Sequence, residues 1–532
     1  MSGILRTTGL IVAFCAAMRL AELLRDVEVE RIEGSLDTAI AEVCDDSRAV
    51  GPGDLFVAVP GLTVDGHQFL ADVVGRGAAA VVVESAHQHQ IPAGFRGVTV
   101  VVQSAPRALA ALAARRHGDP ADSLTLIGVT GTNGKTTTTF LVESILRAAG
   151  LRVGVVGTVN YRYPARDGYL VVVPSSFTTP TPLSLHRMLA EMRDAGTTHV
   201  VMETSSHALA LGRLDGLTFR VGAFTNLTQD HLDLHGSMEA YYDAKATLFR
   251  RGLRRHDGVG VVLIDGPYGE RLANDVVGDR LLVSLTRDDA DLHVRSASTS
   301  INGLAAELTS PLGMLRVRSR LLGSYNLANI AVATGIAVAL GLDVASIEAG
   351  VAALEGVPGR VERVENALGR PVLVDYAHTP DALDNVLSTL RPLTAQRLLC
   401  VFGCGGDRDK SKRPLMGRVV AERADLAFVT SDNPRTERPE DIVEQILVGV
   451  RQVDAPALLA GELGRARRGS FVEVDRRTAI FTAVSAMQPG DVLVVAGKGH
   501  EDYQIIGRQK QPFDDRAVAR EALARLAAGP QS

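Results

Sequence analysis

Gly128-Val129-Thr130-Gly131-Thr132-Asn133-Gly134-Lys135-Thr136-Thr137 follows an apolar run that begins at Leu124, and it opens a helical stretch that ends at Gly150. A buried strand, a glycine-rich turn and a helix in succession make the setting a phosphate-binding loop needs. Backbone N–H groups face the anion, and the positive end of a helix lies behind it. In such a loop Lys135 reaches the outer phosphates and the Thr136 hydroxyl binds Mg²⁺, with Gly131, Thr132, Asn133, Gly134 and Thr137 completing the cradle. The strict Walker spacing fails by one position, because Val129 stands where the first glycine belongs and Gly128 and Gly131 flank it. The competing reading is a glycine-rich strand-to-helix turn with no ligand.

Further buried strands are read at Asp54–Val59, Ala78–Val83, His199–Glu203 and Val221–Asn226, and an apolar helix at 327–340. Residues 258–320 alternate short β-prone runs with turns. Beyond Gly356 four apolar runs each lead into a polar or glycine-rich motif. The motifs are Asp375-Tyr376-Ala377-His378, Gly403-Cys404-Gly405-Gly406-Asp407-Arg408, Ser431-Asp432-Asn433-Pro434-Arg435 and Gly497-Lys498-Gly499-His500-Glu501. Ligands of open parallel sheets bind beyond the carboxyl ends of the strands, so four such motifs in succession point to a site. Strands interleaved with helices predict an α/β protein.

The 532 residues suggest three domains. They are a smaller N-terminal α/β domain (18–105), a central domain with a P-loop-type mononucleotide-binding parallel sheet (106–355) and a C-terminal Rossmann-like domain (356–532). A net charge of −5 argues against nucleic acid as a partner. Cysteines 15, 44, 400 and 404 form no disulfide framework and no zinc spacing, which fits a reducing cytoplasm. The apolar run from Leu10 to Met18 is too short to span a bilayer. Residues 1–17 are read as a non-structural extension rather than an export signal, with a first helix from Met18 to Leu24. Of 56 basic residues only Lys135, Lys245, Lys410, Lys412, Lys498 and Lys510 are lysine, and the first five lie in or beside the motifs.

The phosphate loop together with Glu203-Thr204-Ser205-Ser206-His207, Asn226-Leu227-Thr228-Gln229-Asp230-His231-Leu232-Asp233 and the third-domain motifs resembles the Mur ligases, over roughly residues 18–525. These enzymes use ATP to phosphorylate a carboxylate, which an amine then attacks with release of phosphate. Such chemistry depends on positioning and charge neutralisation. The resemblance implies a catalytic set of Lys135, Glu203, His231 and Lys245, with Mg²⁺ held by Thr136, Glu203, His231 and a carbamylated Lys245. It implies ATP contacts from Asn326, Arg360, Asp375 and His378 in addition to the loop. It assigns the UDP-muramoyl-dipeptide to Ser47, Leu62, Thr63, Val64, Thr178, Thr179, Ser205 and Arg213. Phe177 stands where some relatives carry a polar residue.

The resemblance is strongest to the member that adds the third residue of the stem peptide, which is either meso-diaminopimelate or L-lysine. Only the former carries a distal carboxylate, which calls for a planar bidentate cation. Asp432, Asn433, Pro434 and Arg435 match the diaminopimelate-type motif with Arg435 as the fork, and Arg408, Gly497 and Glu501 match the other contacts. A cytoplasmic monomer acting on small molecules, with no membrane span, is the expectation. The competing classes are a P-loop phosphotransferase or NTPase switch and, within the superfamily, a folate-polyglutamate ligase.

Overall fold

The computed structural model describes residues 17–61 and 64–528. The extension reading, Ala17 apart, therefore lies outside the described residues, as do Leu62 and Thr63. The chain divides into two compact units. One holds the residues up to Val294 with Leu308–Leu315 and Ala328–Gly350. The other holds Arg295–Glu307, Arg316–Leu327 and the residues from Val351.

The first unit begins with a five-stranded sheet of β1 (Val29–Glu33), β2 (Val43–Cys44), β3 (Leu55–Val57), β4 (Ala80–Glu84) and β5 (Val98–Val102), ordered β1-β5-β4-β3-β2. Only β1 runs antiparallel to its neighbour. Alternate residues serve opposite faces. Leu55, Val57, Val82 and Val100 pack with Leu109 and Leu112 of α1 (Ala105–Arg116), and Phe56, Val81 and Val83 pack with Leu70 and Val73. Met18–Arg19, read as the start of a helix, is instead a short strand paired with Ala39–Ile40, and the helix is confined to Leu20–Leu23. Pairing with the 36–38 segment continues through the Leu20 and Ala21 N–H groups, which overrides the local helix propensity.

Eight of the eleven strands of the second sheet are β6 (Thr125–Thr130), β7 (Val153–Val156), β8 (Asn160–Pro164), β9 (Leu170–Pro174), β10 (His199–Glu203), β11 (Val221–Phe224), β12 (Val259–Leu263) and β13 (Asp279–Ser284). They run in the order β9-β8-β7-β10-β6-β11-β12-β13. From β7 to β13 all pairings are parallel, and the central strands are continuous apolar runs buried on both faces. Helices α2 (Lys135–Ala148), α3 (Pro182–Asp194), α4 (Ser206–Ala210) and α5 (Met238–Arg250) join these strands. Within the stretch read as strands and turns, Pro267–Asp275 is a helix whose Leu272 and Ala273 are buried.

In the second unit β14 (Val372–Asp375), β15 (Leu398–Phe402), β16 (Leu426–Val429), β17 (Gly469–Val472) and β18 (Val492–Ala496) form a parallel sheet ordered β14-β18-β15-β16-β17, edged by Glu362–Arg363. Leu373, Cys400 and Val494 face α6 (Pro380–Leu390), α7 (Lys412–Arg423) and α8 (Pro439–Val450). Val374, Val401 and Val495 face α9 (Arg476–Ala486) and α10 (Asp515–Ala528). A hairpin of β19 (Tyr503–Ile506) and β20 (Gln509–Pro512) precedes α10. Among the described residues no helix is long and apolar enough to cross a membrane.

Candidate active site

Strand register sets the cluster in the first unit. Glu203 pairs with Val129, and Phe224 with Thr130, so three neighbouring strands end together beside the phosphate loop. Gly131 has φ 148°, and a Cβ there would lie 1.9 Å from Thr225 Oγ1, so only glycine lets the loop approach β11. Lys135 curls over the loop and donates to the carbonyl oxygens of Gly131 (2.9 Å) and Thr132 (2.8 Å).

Glu203 is 1% exposed. Its carboxylate accepts the Thr136 hydroxyl (3.1 Å), the Thr158 hydroxyl (3.0 Å) and the Thr158 N–H (2.9 Å). Thr158 Oγ1 in turn lies 3.1 Å from Thr178 Oγ1. The Thr179 hydroxyl sits 2.7 Å from the Glu203 carbonyl oxygen and accepts the Ser205 N–H at 3.1 Å, while Arg213 donates to the Thr179 carbonyl at 3.1 Å. Thr136, Glu203, Thr178, Thr179, Ser205 and Arg213 thus form one connected network, with the Arg213 guanidinium 5.0 Å from the Phe177 ring. A buried carboxylate and hydroxyls are hard oxygen donors of the kind Mg²⁺ takes.

Lys245 lies on α5, whose N-terminus is capped by the Ser237 hydroxyl. It shares the buried face with Tyr241, Leu248 and Phe249 and is itself 1% exposed. Its amine donates to the Gly131 carbonyl at 2.8 Å. Burial drives its pKa well below the ordinary lysine value, and the Lys135 charge pushes it the same way against a weaker pull from Asp230. His231 takes left-handed backbone geometry (φ 52°) and is half exposed, 3.5 Å from the Asp230 carboxylate and edge-on to His207 at 4.8 Å. Tyr241 stands between the two proposed ligands, its ring 4.6 Å from the Lys245 amine and 6.1 Å from the His231 ring. Burial also lowers the pKa of His207 and His235, favouring neutral imidazoles.

In the second unit the four motifs sit at the ends of β14, β15, β16 and β18. Arg435 has φ 50°, and its backbone is clasped by the hairpin through Ile505 O (3.0 Å) and the Gly507 N–H (2.8 Å). Its guanidinium donates to Gly406 O at 2.7 Å, and Gly406 N–H returns a bond to Asn433 O at 2.9 Å. Arg408 is exposed, and both arginines flank Gly405. The Asn433 amide donates to Glu501 at 3.0 Å. Asp432 and Pro434 are buried, and Gly497 adjoins the Asp432 carboxylate. Beneath them Arg476 pairs with Asp515 and donates to Ser431 O and Ala496 O, tying the ends of β16 and β18 together.

The four residues assigned to the nucleotide lie in this unit too. The Asp375 carboxylate accepts the Val361 and Ala377 N–H groups, both at 2.7 Å, and burial raises its pKa against the opposing charge of Arg360. Arg360 lies 5.4 Å from the Tyr376 ring, and His378 bonds Tyr376 O through Nδ1 at 2.7 Å. Asn326 is buried and donates to Leu322 O at 2.7 Å. Asp375 therefore shapes the turn that carries Arg360 and His378.

Ser47 is half-buried in the turn that follows β2, and Val64 is exposed. Asp45, two residues before Ser47, acts electrostatically on Arg213. Among the described residues one His/Asp cluster has metal-ligand spacing: Asp65, His67 and His87. His67 is 1% exposed, accepts the Glu84 N–H through Nε2 (3.1 Å) and lies 2.7 Å from Asp65 through Nδ1. The Glu84 donor fixes the tautomer with Nδ1 protonated, so His67 is a structural residue and not a ligand.

Sequence reading missed Thr158, which holds Glu203 twice, and Lys412, whose amine donates to His378 O at 2.9 Å. Thr158 carried no signal. Lys412 was visible only as one of few lysines.

Three family models match the chain: the Mur ligase middle domain over residues 129–337, the Mur ligase glutamate ligase domain over 359–499 and the Mur ligase family catalytic domain over 39–117. The chain belongs to the Mur ligase family. It is 44% identical over 520 residues to the UDP-N-acetylmuramoyl-L-alanyl-D-glutamate–2,6-diaminopimelate ligase of Geobacter metallireducens, covering 97% of this chain and 100% of that one. To the ligase of the same name from Gloeobacter violaceus it is 45% identical over 511 residues, covering 96% and 99%. A solved structure of a ligase of that name superposes with a TM-score of 0.67 at 31% identity, covering 96% of this chain and 99% of that one. The Mur ligases are ATP-dependent ligases.

Proposed function

We propose that the chain joins the amine of meso-2,6-diaminopimelate to a glutamyl carboxylate of UDP-N-acetylmuramoyl-L-alanyl-D-glutamate, converting ATP to ADP and phosphate. It does so as a cytoplasmic monomer in peptidoglycan precursor synthesis. The observation that carries this reading is the pair of lysines on the Gly131 carbonyl beside the Thr136–Glu203 contact. Lys135 faces the phosphates. Glu203 and Thr136, with His231, would hold Mg²⁺, which when bound neutralises phosphate charge. The Lys245 amine, its pKa driven well below the ordinary lysine value by burial, is set to add CO₂, forming an N–C bond and releasing a proton. The resulting carbamate is an anion on a long stem and suits a cation site that an ammonium would repel.

The glutamyl carboxylate, approached by Arg213, Ser205 and Thr179, attacks the γ-phosphorus and ADP departs. The amine that then attacks the acyl phosphate belongs to the amino acid read by the second unit. The new C–N bond forms as the C–O bond to phosphate breaks, and the amine proton is lost. Arg435 and Arg408 take the distal carboxylate, and Glu501 takes the distal ammonium. Incubation with ATP, Mg²⁺, the UDP-muramoyl-dipeptide and either diaminopimelate or L-lysine tests the reading. A product mass that adds diaminopimelate supports it, and a product formed with lysine alone overturns it.

A further inference from the structure

Lys498 is 0% exposed. Its amine donates to Asn433 Oδ1 at 3.0 Å and lies 3.3 Å from Glu501 Oε2 and 3.5 Å from Asp432 Oδ1. All three partners belong to the set that the family resemblance assigns to the incoming amino acid. The backbone places this side chain inward. Gly499 has φ 54°, and a Cβ there would lie 2.7 Å from the Tyr376 Cβ and 2.9 Å from its backbone, so the loop turns sharply against the end of β14. The Tyr503 ring closes the space from the hairpin, 5.6 Å from the amine. A buried ammonium is tolerated only when its charge is matched, and here two carboxylates and an amide oxygen match it.

The charges of the set leave one positive charge in excess. Asp432 and Glu501 contribute two negative charges, and Lys498, Arg435 and Arg408 three positive ones. A distal amino-acid head is a zwitterion with no net charge, whereas the distal end of L-lysine is a lone cation. Without Lys498 that excess positive charge is lost, and the set suits the lone cation better. We infer that Lys498 is a positioning and specificity-determining residue. It holds Asn433 and Glu501 in register and keeps the set positively charged, so that it selects a zwitterionic head over a bare ammonium. This inference rests on the proposed ligase reading and names the device behind its choice of amino acid.

The test compares kcat/KM for diaminopimelate and for L-lysine in wild type, Lys498→Met and the double variant Lys498→Met/Asp432→Asn. The double variant restores the wild-type net charge of the set while keeping Glu501, Arg435 and Arg408. In Lys498→Met the ratio of diaminopimelate to lysine should fall by about tenfold or more, mainly through KM for diaminopimelate, with KM for ATP little changed. The double variant should recover much of the ratio. If the single variant does not fold, the double variant alone decides, since the inference requires it to keep its preference for diaminopimelate. An equal loss for both amino acids, or a double variant that prefers lysine, overturns the inference. A wild-type enzyme that ligates neither amino acid overturns the ligase reading itself, a result distinguishable from either.

Discussion

Lys135 and Lys245, 110 positions apart in the chain, donate to the same acceptor, the carbonyl oxygen of Gly131, at 2.9 and 2.8 Å. Burial holds the Lys245 pKa well below the ordinary lysine value, and the Lys135 charge pushes it the same way. The phosphate loop thus brings both amines to one backbone carbonyl.

Lys245→Ala is expected to lower kcat by roughly a hundredfold or more, on the scale of losing one charged transition-state contact. Bicarbonate should not restore the variant, while a short carboxylic acid should partly do so by supplying the missing anion. Steady-state rates with and without added acetate or formate check this, and full activity in the untreated variant removes Lys245 from the mechanism.

Glu203 permits a separation of charge from packing. Glu203→Gln keeps the shape and one acceptor oxygen, so Tm should change little while kcat falls sharply and the Mg²⁺ requirement rises. Glu203→Ala leaves the Thr158 N–H without its partner in a buried site, at a cost of about 1–3 kcal/mol per unsatisfied group, so Tm should fall as well. Thermal melts beside Mg²⁺ titrations of the rate distinguish the two.

Arg435→Ala and Arg435→Lys should both raise KM for diaminopimelate, by roughly 10- to 100-fold, because a lysine cannot form the bidentate fork. KM for ATP should change far less. Equal changes in both constants would remove the assigned role.

Glu437 supports the amino-acid loops from below. It accepts two bonds from the fully buried Arg413 and one from the Asp407 N–H, and these hold its pKa down at about 2 against an ordinary 4.5. A depressed carboxylate contributes stability that is complete above its ordinary pKa and is lost as pH falls towards its folded value. Glu437→Gln should therefore lower Tm most at neutral pH, and the gap to wild type should narrow between pH 4.5 and about 2. Melts across that range check the sign, and a gap that widens on acidification contradicts it.

The parts of this molecule that were legible in sequence are those whose chemistry dictates local pattern. Phosphate binding demands glycine at fixed positions, and Gly131 meets that demand within contact distance of Thr225. Parallel strands buried on both faces demand unbroken apolar runs, so His199–Glu203, Leu398–Phe402 and Leu426–Val429 were read at the bounds the structure gives. Illegible parts depend on partners distant in the chain. Thr158 gains its role only because β7 lies beside β10, and nothing around it in sequence announces Glu203. Met18–Arg19 has helical propensity and loses it to pairing with Ala39–Ile40. Lys498 was noticed as a rare lysine, but its three oxygen partners come from loops assembled by the sheet.

The most direct test of the account is phosphate release from ATP in the presence of Mg²⁺, measured with the UDP-muramoyl-dipeptide, with diaminopimelate, with both and with neither. The account predicts sustained release only when both are present, with one phosphate per amide formed. Release that proceeds equally without the peptide or without the amino acid would contradict it.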